Sequence, residues 1–330
     1  MEHVNKLNYD TVIILLNYNG LSIKYKNKPI LKSCLRYLNQ SKYTRTKILT
    51  IDNGSNDDSV KFLRSNHLET IIIKKNIPNF SKVVNIGISE AVRKYPSKYL
   101  VLLSNDVFLI QKGWLSKVTK LAKYHNKAGI FGCKLLYPNK KIQHAGLWIG
   151  SASYNRGRAE NDMGQYNEIE KVPGVTFALV LIKTKLIKKI GLLDENFQMG
   201  YEDADYCLRA RTNNFEVLYI GKIKAIHLEG YTTKLIKNSN NISNYFYKSQ
   251  TNSSYFAFKN LKGISLFKSI ILILISSLLS IESENRTRNI TNLRIKKNLK
   301  DNIYHTFKGL IIGYNLAKQF NSVKQRKINI

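Results

Sequence analysis

The stretch "TVIILLNYNG" (residues 11–20) runs apolar from Val12 to Leu16 and then turns abruptly to Asn17, Tyr18, Asn19 and Gly20. A strand that is apolar on both faces must be covered on both faces, as the inner strands of a parallel sheet are. Three further runs of this kind follow: "KILTIDN" (47–53), "TIIIKK" (70–75) and "KYLVLLSND" (98–106). Between them lie "ILKSCLRYLNQ" (30–40), "DSVKFLRS" (58–65) and "SKVVNIGISEAVRKY" (81–95), which read as helices. Strands alternating with helices predict βαβ units: an α/β, Rossmann-like, mostly parallel sheet flanked by helices. Such sheets bind ligands at the carboxyl ends of their strands.

Three of those strand ends are polar: Asn17-Tyr18-Asn19-Gly20, Asp52-Asn53-Gly54-Ser55 and Ser104-Asn105-Asp106. An aspartate there can accept a hydrogen bond from a base or ribose, or hold a divalent cation that bridges two phosphates. Each tripeptide or tetrapeptide alone reads equally well as an ordinary turn. No G-x-G-x-x-G follows any strand and no G-x-x-x-x-G-K-[ST] loop is present, so neither a dinucleotide fold nor a P-loop nucleotidase is supported.

From residue 129 the pattern loosens. "AGIFGCKLLYP", "KIQHAGLWIG" and "GVTFALVLIK" read as strands, and polar "SASYNRGRAENDMGQYNEIEK" (151–171) as a mobile loop. Then "MGYEDADYCLRAR" (199–211) places Glu202, Asp203 and Asp205 within four positions, followed by Arg209 and Arg211. Acids in a first turn suit the positive end of a helix dipole, so the stretch reads as a helix start. Crowded carboxylates also raise one another's proton affinity, which suits a general base, while Arg209, one turn from Asp205, pulls the other way.

The 330 residues carry 53 Lys and Arg against 22 Asp and Glu, a formal net charge of +31. Such a field draws polyanions, and a Lys-, Asn- and Ile-rich composition would produce it too. Cys34, Cys133 and Cys207 are odd in number and far apart, which argues against a disulfide framework or zinc site and fits a reducing compartment. No basic n-region leads into a small-residue cleavage site, so no signal peptide is expected.

Taken in order, "VIILLNYNG", "LTIDNGSNDDS", "NIGISEAV", "LLSNDV", "VPGVTFALVLIK", "GLLDENF" and "YEDADYCLRAR" resemble the family 2 glycosyltransferases, most closely their rhamnosyltransferase-like group. The resemblance covers roughly residues 10 to 230. It implies a GT-A fold, a nucleotide-diphosphate sugar donor, a glycan or lipid-linked acceptor, and inversion at the anomeric carbon. It also implies that Asn17 and Asp52 contact the nucleotide base, with Asn19, Asn53, Asn105 and Gly174 in the same nucleotide-sugar site. Asn85 falls in the family's Asn-x-Gly segment beside the donor. Asp106 matches the last acid of the D-x-D metal motif, for Mg or Mn, and His227 sits where relatives hold metal or diphosphate. Asp203 matches the general base, and Glu202 a partner that positions the acceptor or supports the base. Two departures stand out: Ser104-Asn105-Asp106 has one carboxylate, and "NIPNFSKVVN" (76–85) replaces a Gly-rich run. The thinned metal motif leaves open a catalytically weak or inactive relative that binds nucleotide sugar or carbohydrate.

The expected division is a catalytic domain over 1–230 and a basic, helical C-terminal region over 231–330. That region holds seventeen Lys and Arg against three acids, with apolar helical stretches at 264–281 and 303–320. Basic clusters beside apolar helices suit the surface of an anionic membrane; a helix pair packed on the catalytic domain is the alternative. Only thirteen uncharged residues follow Lys268, short of the roughly 20 that cross a bilayer. The expected location is cytoplasmic, peripheral on the membrane's cytosolic face. No nucleic-acid motif is present, and no nucleic-acid partner is expected.

Overall fold

The structure, a computed structural model, describes residues 9–40, 45–197, 200–229, 239–287 and 299–328. At its centre β1 (Thr11–Asn17) is buried along its whole length. It pairs in parallel with β4 (Thr46–Asp52) and β6 (Tyr99–Ser104), and β4 pairs in parallel with β5 (Glu69–Ile72). Two short strands, β2 (Lys24–Tyr25) and β3 (Lys28–Pro29), form a separate hairpin. Beyond β6 the sheet becomes mixed. It continues through β13 (Leu179–Lys183), β8 (Ala128–Leu136), β14 (Glu216–His227) and the edge strand β12 (Ile169–Lys171). Strand β13 runs antiparallel to both β6 and β8, whereas β14 runs parallel to β8. Short β7 (Val107–Phe108) pairs with β14, and β9 (Ile142–His144) with β8. A hairpin of β10 (Leu147–Ile149) and β11 (Ser153–Asn155) lies apart.

Successive side chains of β1 point to opposite faces, which divides the core. Ile13 and Leu15 pack with Leu31, Leu35, Trp114 and Val118 from α1 (Ile30–Asn39) and α4 (Trp114–Tyr124). Val12, Ile14 and Leu16 pack with Val84, Ile88 and Ala91 of α3 (Phe80–Lys94). Each such fully buried aliphatic side chain contributes about 1.5–3 kcal/mol to folding. In α3 the glycine of Asn85-Ile86-Gly87 has a packing reason: a Cβ at Gly87 would lie 2.1 Å from Ile51 Cδ1 and 2.9 Å from Ile14 Cγ2. Helices α2 (Ser59–Ser65), α5 (Thr184–Ile190) and α6 (Glu202–Thr212) complete the part up to residue 229.

Two expectations change. "GVTFALVLIK" is a strand only from Leu179 onward, and its first residues form the loop that meets α6. The polar stretch 151–171 is anchored and contains β11 and β12. Its Asp162 bridges Lys134 of β8 (2.9 Å) and Lys224 of β14 (2.6 Å). The tie is close, since a Cβ at Gly221 of β14 would collide with the Tyr166 carbonyl.

After residue 229 three helices follow: α7 (Ser239–Asn260), α8 (Gly263–Thr287) and α9 (Leu299–Ile328). Helix α7 docks on the sheet domain through Tyr255 and Phe256, which bury against Leu147, Phe197 and Ala204. Among the described residues no helix is long and apolar enough to cross a membrane.

Candidate active site

Register brings the polar strand ends together, because Asn17 of β1 lies beside Asp52 of β4 and Leu16 beside Ser104 of β6. A buried network then links all three. Asn105 Nδ2 donates to Asn17 Oδ1 (2.7 Å), and Asn17 Nδ2 donates to Asp52 Oδ2 (2.7 Å). Both Asp52 oxygens also accept from Ser55, from its hydroxyl at 2.7 Å and its N–H at 2.9 Å. Gly20 closes the corner: a Cβ there would lie 2.3 Å from Asn17 Oδ1 and 2.8 Å from Asn105 Nδ2. Asn19, at φ 48°, accepts from Asn56 N–H and donates its own N–H to Ser55 Oγ. Asn53 exchanges hydrogen bonds with Ile77 and so pins the chain that enters α3. Asn17, Asp52 and Asn105 form a rigid floor, with half-buried Asn19, Asn53 and Ser55 at its rim.

Asp106 continues from Asn105 and meets the far end of β14. Its carboxylate Oδ1 lies 3.4 Å from His227 Nε2, and its carbonyl accepts Leu228 N–H. Gln143 Oε1 accepts His227 Nδ1–H at 2.9 Å, which leaves Nε2 facing Asp106. Burial disfavours the imidazolium, but the Asp106 carboxylate outweighs it and holds His227 above its ordinary range. Among the described residues no group of three or more His, Cys, Asp or Glu is arranged for a metal ion. One carboxylate oxygen and one oriented imidazole nitrogen still suit a cation whose remaining ligands come from phosphates and water.

The acids of "MGYEDADYCLRAR" open α6. Gly200 and Tyr201 take left-handed backbone (φ 89° and 71°), which turns the chain sharply into the helix. Glu202 and Asp203 then fall at the exposed N–H end, with no side-chain cap. Asp203 Oδ1 accepts Ala204 N–H at 2.7 Å, and its carboxylate also accepts from the Thr176 hydroxyl and Phe177 N–H. These bonds favour ionisation, but burial wins and raises the Asp203 carboxyl above the ordinary aspartate range. Glu202 is pushed higher still, first by burial and then by the charge of Asp203. Its Oε2 is buried with no hydrogen-bond partner.

Asp205 faces elsewhere. It is fully buried and pairs with Arg209 (3.0 Å) and with Lys259 of α7 (2.7 Å). Lys259 also bridges to Asp194 at 2.7 Å. Asp205 is therefore a docking residue for α7 rather than a neighbour that tunes the base.

Strand β9 joins the two chemical corners, which sequence reading did not anticipate. His144 Nδ1 lies 2.6 Å from Asn155 Oδ1, and Nε2 accepts Thr176 N–H at 3.3 Å. Burial holds His144 down at about 4, so the ring is neutral and can accept that bond. Thr176 in turn holds Asp203, while Gln143, next to His144, orients His227. Both residues lie in "KIQHAGLWIG", which carries no motif; the only clue was a polar Gln-His pair inside an apolar run.

Asn85 and Gly174 lie outside the strand-end network. The Asn85 amide donates to Leu193 carbonyl (2.9 Å) and Glu195 Oε1 (3.0 Å), and its Oδ1 accepts Leu193 N–H. It thus clamps "GLLDENF" to α3. Gly174 permits close packing under α6, since a Cβ there would lie 2.7 Å from Ile149 Cδ1 and 3.2 Å from Cys207 Cβ. All three cysteines are buried and free.

A curled mixed sheet with a polar floor at its parallel strand ends and an acid pair on a following helix defines a GT-A glycosyltransferase fold. The family model described as glycosyltransferase like family 2 matches residues 24–241, and the chain belongs to that family. O-antigen biosynthesis protein RfbC of Myxococcus xanthus is 24% identical over 223 residues, covering 64% of this chain and 17% of that protein. Uncharacterized protein y4gI of Sinorhizobium fredii is 24% identical over 205 residues, 58% of this chain and 22% of that protein. The chain thus spans about a fifth of the length of these curated relatives. Among solved structures, S. aureus TarS aligns with a TM-score of 0.54 at 13% identity, covering 92% of this chain and 81% of that one. Mannosyltransferase PcManGT from Pyrobaculum calidifontis, solved in complex with GDP-Man and Mn2+, aligns with a TM-score of 0.50 at 10% identity, covering 97% and 81%.

Proposed function

We propose that this chain is an inverting glycosyltransferase that moves a hexosyl group from a nucleotide-diphosphate sugar to a hydroxyl of a glycan or lipid-linked acceptor. The observation that carries the reading is Asp203. It is a half-buried carboxylate held at a helix N-terminus by the Thr176 hydroxyl and backbone N–H groups, with its proton affinity raised by desolvation. An aspartate so placed ionises within the working range and still binds a proton well enough to act as a base. In the transfer, the acceptor oxygen forms a bond to the anomeric carbon from the face opposite the leaving group. The bond from that carbon to the diphosphate oxygen breaks, the nucleoside diphosphate leaves with the electron pair, and Asp203 takes the acceptor's proton.

Glu202 keeps its proton while Asp203 is ionised, since the second charge would be buried beside the first. It can then donate a hydrogen bond to the acceptor. Asn17, Asn19, Asp52, Asn53 and Asn105 form the nucleotide floor. Asn85 and Gly174 shape the site indirectly, by fixing the loop ahead of α6 and the approach of its underside. Asp106 and His227 would hold a Mg or Mn ion, with Gln143 keeping His227 in register. Such an ion, when bound, supplies positive charge for the departing diphosphate.

The single-carboxylate corner favours one other reading, a weakly active or inactive relative that binds the nucleotide sugar. One experiment separates the two: a panel of nucleotide sugars with Mg2+ or Mn2+, read by thermal stabilisation and by release of nucleoside diphosphate. The transferase reading expects one donor to give both signals and NMR of the product to show inverted anomeric configuration. A retained configuration would overturn the inverting mechanism, and binding without turnover would leave the second reading.

A further inference from the structure

Helices α8 and α9 carry their apolar side chains on the wrong side for a packed bundle. A surface helix normally buries large apolar residues and exposes polar ones. Helix α9 packs Leu316 inward but leaves most of its largest apolar side chains outside. It meets α7 through Thr306, Gly309, Gly313 and Ala317, all buried. The approach is close: a Cβ at Gly313 would lie 2.6 Å from Ser254 Cβ, and one at Gly309 would lie 3.1 Å from the Gln250 backbone. At 100° per residue, Tyr304, Phe307 and Ile311 fall on the opposite side of this helix and are exposed, while Tyr314, at the edge of the stripe, also turns its ring against Phe258 of α7. Helix α8 repeats the arrangement. Ser269 and Ile273 are buried, while Ile264, Phe267, Ile271 and Ile275 lie about half a turn away and are exposed, Ile264 by 74% and Phe267 by 65%.

Charge identifies the occupant. Between residues 239 and 275, and again between 303 and 321, there is no Asp or Glu. The lysines flanking the stripes, Lys262, Lys268, Lys308 and Lys318, are exposed, and Lys308 reaches over the rings of Tyr247 and Tyr304. An apolar stripe edged by lysines and aromatics, without an acid, matches the boundary between acyl chains and anionic headgroups. Two copies of the chain meeting here would bring like charges together, and a nucleic acid would leave the isoleucines and phenylalanines uncovered.

We propose that the outward faces of α8 and α9 seat the protein on an anionic membrane surface, with Phe267, Ile271, Phe307 and Ile311 inserted among the lipids and the lysines at the headgroups. No stripe residue belongs to the donor or base site described above, so this proposal is independent of the transferase reading. It places the catalytic region, through α7, at a fixed relation to the lipid surface.

The test is flotation of the full chain with vesicles of phosphatidylcholine alone or mixed with phosphatidylglycerol, at ~0.1 M salt where headgroup attraction persists. The expected result is binding to the mixed vesicles at least about tenfold tighter than to phosphatidylcholine alone. The double variant Phe267→Ser/Phe307→Ser should lose at least about tenfold of that binding with an unchanged melting temperature, since both side chains are exposed. Lys268→Glu/Lys308→Glu should lose the preference for the anionic lipid. Absence of wild-type flotation would overturn the proposal, as would equal flotation of all three proteins. An oligomer in lipid-free solution that Phe267→Ser/Phe307→Ser converts to monomer would also overturn it, because a second copy would then be the occupant.

Discussion

One turn of helix α6 holds carboxylates with two opposite fates. Asp205 is fully buried, and both of its oxygens have partners: Arg209 on one, Lys259 and Asn260 on the other. Glu202 and Asp203 are also withdrawn from water, yet no Lys or Arg pairs with either among the described contacts, and Glu202 leaves an oxygen without a partner. A fold that neutralises one acid and leaves its neighbours raised in proton affinity keeps those neighbours free for a reaction. The paired acid stabilises the structure, whereas the unpaired ones cost stability.

Removing Asp203 gives the largest expected effect. Asp203→Asn keeps the shape and one acceptor oxygen for the Ala204 N–H, but it loses the ability to take a proton and the second oxygen that accepts hydrogen bonds. The transfer rate should fall by about 10²–10⁴-fold, while thermal melts still show a cooperatively folded protein. Turnover of the donor identified in the panel measures this directly; a variant that transfers at the wild-type rate would remove Asp203 from the mechanism.

The opposite intervention belongs to Asp205's side. Lys259 is nearly buried, touches Asp194 and Asp205 at 2.7 Å each, and lies over the Phe320 ring at 4.3 Å. Burial works against ionising Asp194, but Lys259 and the Tyr255 hydroxyl outweigh it and hold that carboxyl below the ordinary range. Lys259→Met keeps the apolar stem and strips the charge from between two buried carboxylates. It should destabilise the fold by about 3 kcal/mol, the scale for breaking a buried pair. Urea titration reads this number. If the loss stays below about 0.5 kcal/mol, the level of a surface pair, the bridge is not what docks α7.

How much of this was legible beforehand follows the range of the interactions. "TVIILLN" and its three companion strands declared themselves, because burial on both faces is written into consecutive residues. The polar strand ends were legible for the same reason, and so was the helix start at Glu202. What could not be read was which acid pairs with what. Arg209 is visible four residues from Asp205, but Lys259 is 54 residues away in sequence, and nothing in "YFAFKN" announces it. Thr176 and His144 were missed likewise, since their link to Asp203 exists only once β9 and the loop ahead of β13 are side by side. Asn85 was noticed for its motif, but its amide bonds to Leu193 and Glu195 are visible only in the fold.

The smallest effect separates the two unpaired acids from each other. With both carboxyls raised and Glu202 the higher, the pair sheds its first proton from Asp203 and keeps the second on Glu202. Glu202→Gln resembles the protonated glutamate, so transfer should stay within about threefold of wild type, a change of under ~1 kcal/mol. The acid limb of kcat/KM should keep its midpoint, which lies above the ordinary aspartate value of about 4. Stability should move the other way. A carboxyl whose folded pKa lies above its unfolded value costs stability as pH rises past the unfolded value, and the cost grows until the folded value is reached. Glutamine cannot ionise, so Glu202→Gln should match wild type in acid and exceed it by about 1–2 kcal/mol at mildly alkaline pH. Thermal melts across that range measure the divergence. Parallel melting curves would mean that Glu202 has a partner for its charge, and the contrast with Asp205 would then rest on Asp203 alone.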